Sequence, residues 1–250
     1  MSSGHQTAST ETPAIPVPQA REGDLRRSRL RWLVVAGAGL VLMLLVRGLI
    51  VQSFYIPSGS MEPTLQPGDR ILVNKLGVAS SLQRGQVVVF DGTQTFADHH
   101  AGAGADRGSG LGRALDAAAS LLSIGVNESD YVKRVVGLPG DRVVCCDQNG
   151  LLTINDVAVE EPYLYPGDNS SDLTFDVTVP AERIWVMGDH RSDSADSRAH
   201  LGDPGGGMVR LDDVIGRTAM VYWPPSRVGI LAASDSLSGI PASFVGERHK

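Results

Sequence analysis

An apolar run from Trp32 to Val51, interrupted only by Arg47, constrains the fold of this chain more than any other feature of its sequence. Its 20 residues would form a helix about 30 Å long, which matches the hydrocarbon core of a lipid bilayer. A cleaved signal peptide has a shorter apolar region followed by small residues, but here the bulky stretch QSFYIP follows. We therefore predict an uncleaved transmembrane anchor over residues 31–52.

The charges that flank this run predict its orientation. Five arginines precede it, whereas residues 52–68 contain neither lysine nor arginine. Because positively charged flanks stay in the cytoplasm, we expect a single-pass protein of the cell membrane with a cytoplasmic N-terminus. Residues 1–30 are rich in Ser, Thr and Pro and are predicted to be a disordered cytoplasmic tail. Everything after Ser53 is predicted to lie on the extracytoplasmic side.

Short runs rich in β-branched residues dominate the exported part, and turn sequences such as QPGD, LPGD and DQNG separate them. This pattern predicts a mainly β domain over residues 53–227, built as coiled sheets, a sandwich or a partly closed barrel. Residues 93–129 are predicted to form a variable insertion with a Gly-rich loop and a helix, and residues 228–250 a C-terminal tail. The predicted strands are 70–76, 86–90, 131–138, 141–147, 151–156, 183–189 and 215–223.

Charge and cysteine content narrow the class of protein. The formal net charge of −6 argues against a nucleic-acid partner, because proteins that bind nucleic acid usually have a basic surface. The two cysteines, Cys145 and Cys146, are adjacent and cannot build a disulfide framework or a zinc quartet. We expect both thiols to be reduced, because adjacent residues fit the usual Cα separation of a disulfide poorly. A vicinal disulfide in an oxidising exterior is the alternative.

Two serines in the sequence PSGS, Ser58 and Ser60, are candidate nucleophiles. Pro57 and Pro63 restrict the backbone around them, and Gly59 permits a sharp turn. A fixed, exposed turn suits a nucleophile because poised geometry removes entropy from the barrier. An ordinary turn, in which the hydroxyls bond nearby backbone groups, is the alternative.

A serine nucleophile needs a base, and no histidine lies in a recognisable triad motif, although His190 and His200 flank a polar stretch. A lysine can deprotonate serine if burial lowers its pKa towards neutrality. Lys133 stands in an apolar strand, where alternation places it on the same face as Tyr131 and Val135. A lysine that protects an edge strand from aggregation is equally consistent with this segment alone.

The stretch MGDHRSDSADSR, residues 187–198, concentrates acidic, serine and arginine side chains after an apolar strand. A calcium-binding loop is an alternative for such a stretch. It lacks the spacing of an EF-hand, however, and Arg191 and Arg198 would repel a cation. We therefore expect no metal ion and no cofactor.

Together these segments resemble the sequence boxes of bacterial type I signal peptidases (leader peptidases), which are serine–lysine proteases. Four boxes occur in the family's order: PSGSMEPTLQPGD, RGQVVVF, YVKRVVGLPGD and MGDHRSDSADSR. With the anchor, the match runs from Trp32 to Trp223, and the Gly-rich insertion and short tail resemble an actinobacterial member. The resemblance implies an endopeptidase that removes signal peptides from exported preproteins.

By position, the resemblance implies Ser60 as the nucleophile and Lys133 as the general base. It also implies an oxyanion hole formed by the hydroxyl of Ser58 and the backbone N–H of Ser60. Ser194 would donate or accept a hydrogen bond with Lys133 and so orient its amine.

The remaining residues of the site are supporting groups in this resemblance. Asp196 would pair with Arg134 or with Arg198, and Gly188 and Asp189 would shape the floor of the site. Shallow apolar pockets would accept the small residues of an Ala-x-Ala cleavage site. The residues implied to line these pockets are Ile56, Pro57, Met61, Leu65, Tyr131 and Val132.

Position 190 departs from the family, because many relatives have Asn where this chain has His190, and its role stays open. The expected partners are the signal peptides of exported preproteins and the lipid bilayer, and we expect a monomer. Two other classes remain alternatives. One is an anchored β-domain that binds envelope partners without catalysis, and the other is a self-cleaving serine–lysine protease of the repressor type.

Overall fold

The computed structural model describes residues 22–77, 81–96 and 129–241. The chain divides into two compact units, Met1–Leu44 and Leu45–Lys250. Helix α1 runs from Glu22 to Leu49, so it begins inside the predicted tail and ends before Val51. The side chains of residues 31–43 on this helix are exposed.

Among the residues described, no helix combines the length and the apolar character that crossing a bilayer requires.

In the described part of the chain, twelve β-strands form two antiparallel sheets, which confirms the predicted mainly β class. The strands are β1 (Val51–Tyr55), β2 (Arg70–Asn74), β3 (Val87–Asp91), β4 (Asp130–Gly137), β5 (Arg142–Cys145), β6 (Leu152–Ile154), β7 (Val157–Val159), β8 (Phe175–Thr178), β9 (Arg183–Met187), β10 (Val209–Arg210), β11 (Val214–Trp223) and β12 (Gly229–Ile230). Each of the seven predicted strands overlaps one of these.

The large sheet has the strand order β1-β2-β11-β3-β4-β9-β10, and β12 pairs with β11. Strand β4 therefore lies inside the sheet, between β3 and β9. In this register Lys133 lies opposite Val88 of β3, and both residues are buried. The alternative of an edge-strand lysine is wrong, because β4 has a hydrogen-bonded neighbour on each side.

The small sheet has the order β7-β6-β5-β8 and shares a hydrophobic core with strands β4 and β9 of the large sheet. Val143, Leu152 and Phe175 contribute to this core from the small sheet, and Trp185 contributes from the large one. Such alternating inward residues are what joins two sheets into one domain. Because β4 and β9 take part in both the core and the large sheet, the core fixes the strands that carry the candidate site.

Residues 229–241, which the sequence places in a C-terminal tail, pack on the domain. The side chain of Leu237 is fully buried, and Ile240 is buried in the same core as Trp185. The guanidinium of Arg84 also donates a hydrogen bond of 2.8 Å to the carbonyl of Ile240. The domain therefore extends at least to Pro241 rather than to residue 227.

Cys145 and Cys146 are joined by a disulfide, and the peptide bond between them is cis. The expectation of two free thiols is wrong. That expectation relied on the Cα separation that is typical of disulfides between distant residues. This separation does not apply to two adjacent cysteines. Residues 97–128, which contain most of the predicted insertion and its helix, lie outside the described residues.

Candidate active site

The turn that carries the two candidate serines follows directly on β1. Backbone hydrogen bonds of 2.9 Å join Ile56 to Asp69 and Gly68 to Ile56, so the turn is closed at its base. Ile56, Met61 and Leu65 are buried in a core cluster with Phe54. This buried apolar base holds the turn against the sheet. It leaves Ser58 exposed and Ser60 at the edge of the interior, with 8% of its surface exposed.

Lys133 and Ser60 meet although 73 positions separate them in the sequence. The Nζ atom of Lys133 lies 2.6 Å from the Oγ atom of Ser60, and Lys133 is only 4% exposed. Burial lowers the pKa of Lys133 from 10.5 to about 8, although the negative charges of Asp196 and Asp189 act in the opposite direction. A substantial fraction of neutral amine, able to accept a proton from the hydroxyl, is therefore present near physiological pH.

The arrangement around Ser60 provides donors for a developing negative charge. The hydroxyl oxygen of Ser58 lies 3.5 Å from that of Ser60, so the two side chains point into the same space. Within the described part of the chain, the backbone N–H of Ser60 has no hydrogen-bond acceptor. The Ser58 hydroxyl and the Ser60 N–H are therefore candidate donors to an oxyanion formed beside Ser60.

Gly188 follows β9 and lies against the nucleophile. A Cβ atom at this position would overlap both the side chain of Ser194 and the backbone carbonyl of Ser60. The N–H of Gly188 donates to Asp196 Oδ2 at 2.9 Å, which fixes the peptide in place. Only glycine permits this close approach between the strand end and the turn of Ser60.

Asp196 settles one of the alternatives that the sequence leaves open. Its carboxylate accepts hydrogen bonds of 2.9 and 2.8 Å from Arg198, so its partner is Arg198 and not Arg134. Burial alone would raise the pKa of Asp196, but the bonds from Arg198, Gly188 and Ser194 outweigh it and hold that pKa below its usual value. Asp196 is therefore charged and paired at neutral pH.

Ser194 differs from the role that the resemblance implies. Its hydroxyl donates to Asp196 Oδ2 at 2.9 Å. Among the described residues, the hydrogen bond of the Lys133 amine is with Ser60, and none joins it to Ser194. A direct Ser194–Lys133 hydrogen bond is thus not observed, and the Ser194 hydroxyl contacts the carboxylate of Asp196 instead.

Arg134 and Asp189 form a second buried ion pair next to the site. The guanidinium donates to both carboxylate oxygens, at 2.7 and 2.5 Å, and also to the carbonyl of Gly85. Thr64, in the turn of the candidate nucleophile, donates to the same carboxylate at 2.5 Å. The pair therefore ties β4, the end of β9 and the nucleophile turn together. Asp189 and Asp196 are each occupied by an arginine rather than arranged around a calcium ion.

A third buried pair was not predicted from the sequence. Arg191 donates to both oxygens of Glu161, at 3.1 and 2.5 Å, and to the carbonyl of Gly188 at 2.9 Å. The hydroxyl of Tyr163 donates to Glu161, and the ring of Tyr163 packs beneath Arg134 at 4.2 Å. Arg191 lies in the acidic stretch that the sequence highlights. Glu161 stands in a segment with no pattern that could have revealed it.

The residues implied to line substrate pockets fall into two groups. Pro57 is exposed, and Tyr131 and Val132 are half-buried, so these three can meet a bound peptide. Met61 and Leu65 belong to the core cluster under the turn and can border a pocket only from beneath. Ile56 is also buried, at the start of the turn.

His190 is close to the nucleophile through its backbone. Its N–H donates to the carbonyl of Ser60 at 3.2 Å, and its ring stacks on Tyr165 with 3.9 Å between the ring centroids. The side chain therefore supports the loop from outside, while the backbone makes the contact with the nucleophile turn.

Comparison with known proteins shows the family to which the chain belongs. Residues 29–223 match the family model of signal peptidase, peptidase S26. The chain is 37% identical to a probable signal peptidase I of Mycobacterium leprae, over 92% of this chain and 88% of the relative. It is also 37% identical to signal peptidase I of Mycobacterium tuberculosis, over 86% and 79% of the two chains. These mycobacterial relatives confirm the resemblance to an actinobacterial member.

A more distant relative is also named a signal peptidase. Signal peptidase I P of Bacillus subtilis subsp. natto is 28% identical over 81% of this chain and 93% of its own. A crystal structure of a signal peptidase I from Enterococcus faecalis aligns with a TM-score of 0.35 and 23% identity, over 55% of this chain and 97% of the other. This chain is a peptidase, and it belongs to the signal peptidase family, peptidase S26.

Proposed function

We propose that this peptidase removes N-terminal signal peptides from exported preproteins, with Ser60 as the nucleophile and Lys133 as the general base. The observation that carries the proposal is the 2.6 Å contact between the Lys133 amine and the Ser60 hydroxyl in a buried setting. The names of the relatives, signal peptidase I, supply the class of substrate.

The first half of the reaction is acylation. The neutral amine of Lys133 accepts the proton of Ser60 while Oγ attacks the carbonyl carbon of the scissile peptide bond. The carbonyl oxygen becomes negatively charged and accepts hydrogen bonds from the Ser58 hydroxyl and the Ser60 N–H. When the carbon–nitrogen bond breaks, the Lys133 ammonium returns its proton to the leaving amine. The N-terminus of the mature protein departs, and the signal peptide stays bound to Ser60 as an ester.

The second half of the reaction is deacylation. A water molecule takes the place of the leaving amine and gives a proton to Lys133 as its oxygen attacks the ester. The same two donors stabilise the second oxyanion, and the proton passes to Ser60 Oγ as the ester bond breaks. The signal peptide leaves with a free carboxylate, and serine and lysine return to their starting states.

We propose cleavage after small residues in an Ala-x-Ala pattern. The residues available to meet the substrate are Pro57, Tyr131 and Val132 on the surface, with Ile56 behind them. They are apolar or aromatic, and shallow pockets formed by such side chains would favour alanine over large side chains.

We further propose that the apolar segment 31–52 anchors the protein in the cell membrane once, with the N-terminus in the cytoplasm and the peptidase domain on the extracytoplasmic side. Two observations support this: the exposed apolar side chains of residues 32–35 and 40–43, and the arginines that precede them. Accessibility of a single introduced cysteine to an impermeant thiol reagent in intact cells tests the orientation. Labelling at position 238 and none at position 10 is the expected result.

The decisive experiment for the peptidase is cleavage of an exported precursor by the purified full chain. Ser60→Ala should abolish cleavage, whereas Ser238→Ala, which alters an exposed serine near the C-terminus, should leave the rate unchanged. Normal cleavage by a correctly folded Ser60→Ala protein would remove the basis of the proposed mechanism.

A further inference from the structure

A cavity of about 300 Å³ lies apart from the candidate active site, where β11 borders β2 and β3. The polar side chains that line it are Asn74, Gln83, Gln86, Arg217 and Thr218. Neither Ser60 nor Lys133 is part of its wall, and the proposed peptide cleavage makes no use of it. No aspartate or glutamate is among the described residues that line it.

The amide side chains of this cavity are oriented as donors. The Oε1 atom of Gln86 accepts a hydrogen bond of 3.0 Å from the backbone N–H of Gln83. The Oδ1 atom of Asn74 accepts one of 2.9 Å from the N–H of Leu76. Because a backbone N–H can be met only by the oxygen of an amide, the NH₂ groups of both side chains are left to donate elsewhere.

Arg217 provides the charge of the cavity and keeps spare hydrogen-bonding capacity. Its guanidinium makes two long hydrogen bonds, 3.3 Å to the carbonyl of Ser81 and 3.5 Å to that of Leu76. A guanidinium has five N–H donors, so most of them have no partner among the described residues. Thr218 is 6% exposed, and its hydroxyl likewise has no partner in the described part of the chain. The positive charge of Arg217, with the amide of Asn74 opposite it in the sheet, favours an anionic oxygen ligand.

One wall of the cavity is apolar and reaches the surface. Ile230 lines it and is 86% exposed, and Ala232 and Ala233 continue the same wall. Val228 precedes β12, Trp223 ends the strand β11 with which β12 pairs, and both side chains are about half-exposed. A ligand that fits both walls carries an anionic group and an adjoining hydrocarbon part.

We propose that this cavity binds the phosphate group of an anionic phospholipid, with the acyl chains against the edge formed by Ile230, Val228 and Trp223. The exposed Ile230 distinguishes a lipid from free phosphate, because a small soluble anion gains nothing from an apolar wall. The inference rests on the proposed membrane attachment only for access to lipid, and it does not depend on the chemistry of Ser60 and Lys133.

Native mass spectrometry of the detergent-solubilised full chain, titrated with phosphatidylglycerol, tests the proposal. Arg217→Gln should weaken binding of one lipid at least tenfold, since it removes a charge-assisted contact. Arg142→Gln is the matched control, because it removes an exposed arginine of the small sheet and changes the net charge equally. Equal weakening in both variants, or none in either, would overturn the proposal.

Two further measurements distinguish binding of a lipid from binding of a soluble phosphate. Glycerol phosphate, which lacks acyl chains, should bind at least tenfold more weakly than phosphatidylglycerol. Ile230→Ser should weaken the lipid and leave glycerol phosphate unaffected. If glycerol phosphate binds as tightly as the lipid and Ile230→Ser changes neither, the site belongs to a soluble anion and the lipid assignment is wrong.

Precursor cleavage in detergent, measured on the same samples, checks folding and keeps the two proposals apart. Arg217→Gln should cleave at the wild-type rate, and Ser60→Ala should bind lipid like wild type. If Arg217→Gln fails to fold, Ala233→Leu fills the cavity without changing its charge and should cause the same tenfold loss of binding. Undiminished binding by folded Ala233→Leu would refute the assignment.

Discussion

Replacing Lys133 by methionine should abolish peptide cleavage and, at the same time, stabilise the fold near neutral pH. Lys133 is almost completely buried, and its pKa in the folded chain is about 8 instead of 10.5. That difference of roughly 2.5 units corresponds to a cost of about 3 kcal/mol for holding the lysine in the folded protein while it is protonated. Methionine has a similar length and carries no charge, so it removes this cost.

The stabilisation should depend on pH in a defined direction. The folded-state pKa is lower than the unfolded one, so below about pH 8 the full cost is present in the wild type. Between about pH 8 and 10.5 the unfolded chain binds more protons than the folded chain, and the stability contributed by this site rises with pH. Methionine also loses the hydrogen bond with Ser60, worth about 1 kcal/mol. The net gain should be about 2 kcal/mol at pH 6.5, and above pH 10.5 it should become a loss of about 1 kcal/mol, because only the missing hydrogen bond then distinguishes the variant.

Urea unfolding of the full chain in a non-ionic detergent, followed by tryptophan fluorescence, measures both quantities. Trp185 is fully buried in the main core and reports on loss of packing. Lys75→Met is the control, because this half-buried lysine directly follows β2 and lies outside the candidate site. It should change stability little at either pH. A Lys133→Met protein that is less stable than wild type at pH 6.5, or whose stability difference is the same at pH 6.5 and 10.5, would refute the reasoning.

Four further predictions follow from the same contacts. The value of kcat/KM for precursor cleavage should rise with pH and level off above about 8, as Lys133 loses its proton; a pH–rate profile measures this. Ser58→Ala should lower kcat by roughly 10²–10³ with little change in KM, which steady-state kinetics can separate. Arg134→Met should lower the free energy of unfolding by about 3–5 kcal/mol, because it leaves the buried carboxylate of Asp189 unpaired. Leu237→Ala should cost about 2–5 kcal/mol in urea unfolding, because the side chain is fully buried in the main core.

Exposed positions supply the matched controls for the last two variants. Arg142→Gln breaks an exposed ion pair with Asp176 and should change the free energy of unfolding little. Val228→Ala removes half-exposed apolar surface near the C-terminus and should change stability by less than about 0.5 kcal/mol. A cost for Arg134→Met or Leu237→Ala no larger than that of its control would contradict the packing described for it. A flat pH–rate profile between pH 6 and 9, or full activity of Ser58→Ala, would contradict the catalytic roles.

The strand that carries Lys133 was predictable because its pattern is local. β-Branched residues at alternating positions predict both the strand and the face on which Lys133 lies. The contact with Ser60 was not predictable from periodicity, since it joins two segments 73 positions apart. The order of the four short sequence boxes along the chain predicts this contact instead. That order is a property of the family and not of local structure.

Other contacts could not be predicted from the sequence, because it offers several equally suitable partners or no recognisable pattern. Asp196 could pair with Arg134 or Arg198, and only the turn between Asp196 and Arg198 decides it. Glu161 directly follows Glu160 in a segment without a recognisable motif, so the sequence does not predict its ion pair with Arg191. Leu237 lies among serine and glycine residues that show no apolar periodicity. The sequence therefore does not predict that the C-terminal segment is buried.

The buried charges around Lys133 explain why desolvation decides the protonation state of the proposed base. Asp189 and Asp196 both favour the charged lysine, but each is bonded to a guanidinium, Arg134 and Arg198 respectively. The positive charge of Arg198 lowers the pKa of Lys133 and so opposes part of the effect of these carboxylates. Burial then has the larger effect, and the pKa settles near 8. An unpaired carboxylate at either position would return the pKa towards 10.5 and keep the amine protonated. We therefore expect Arg198 to influence the proposed reaction through the charge of the base.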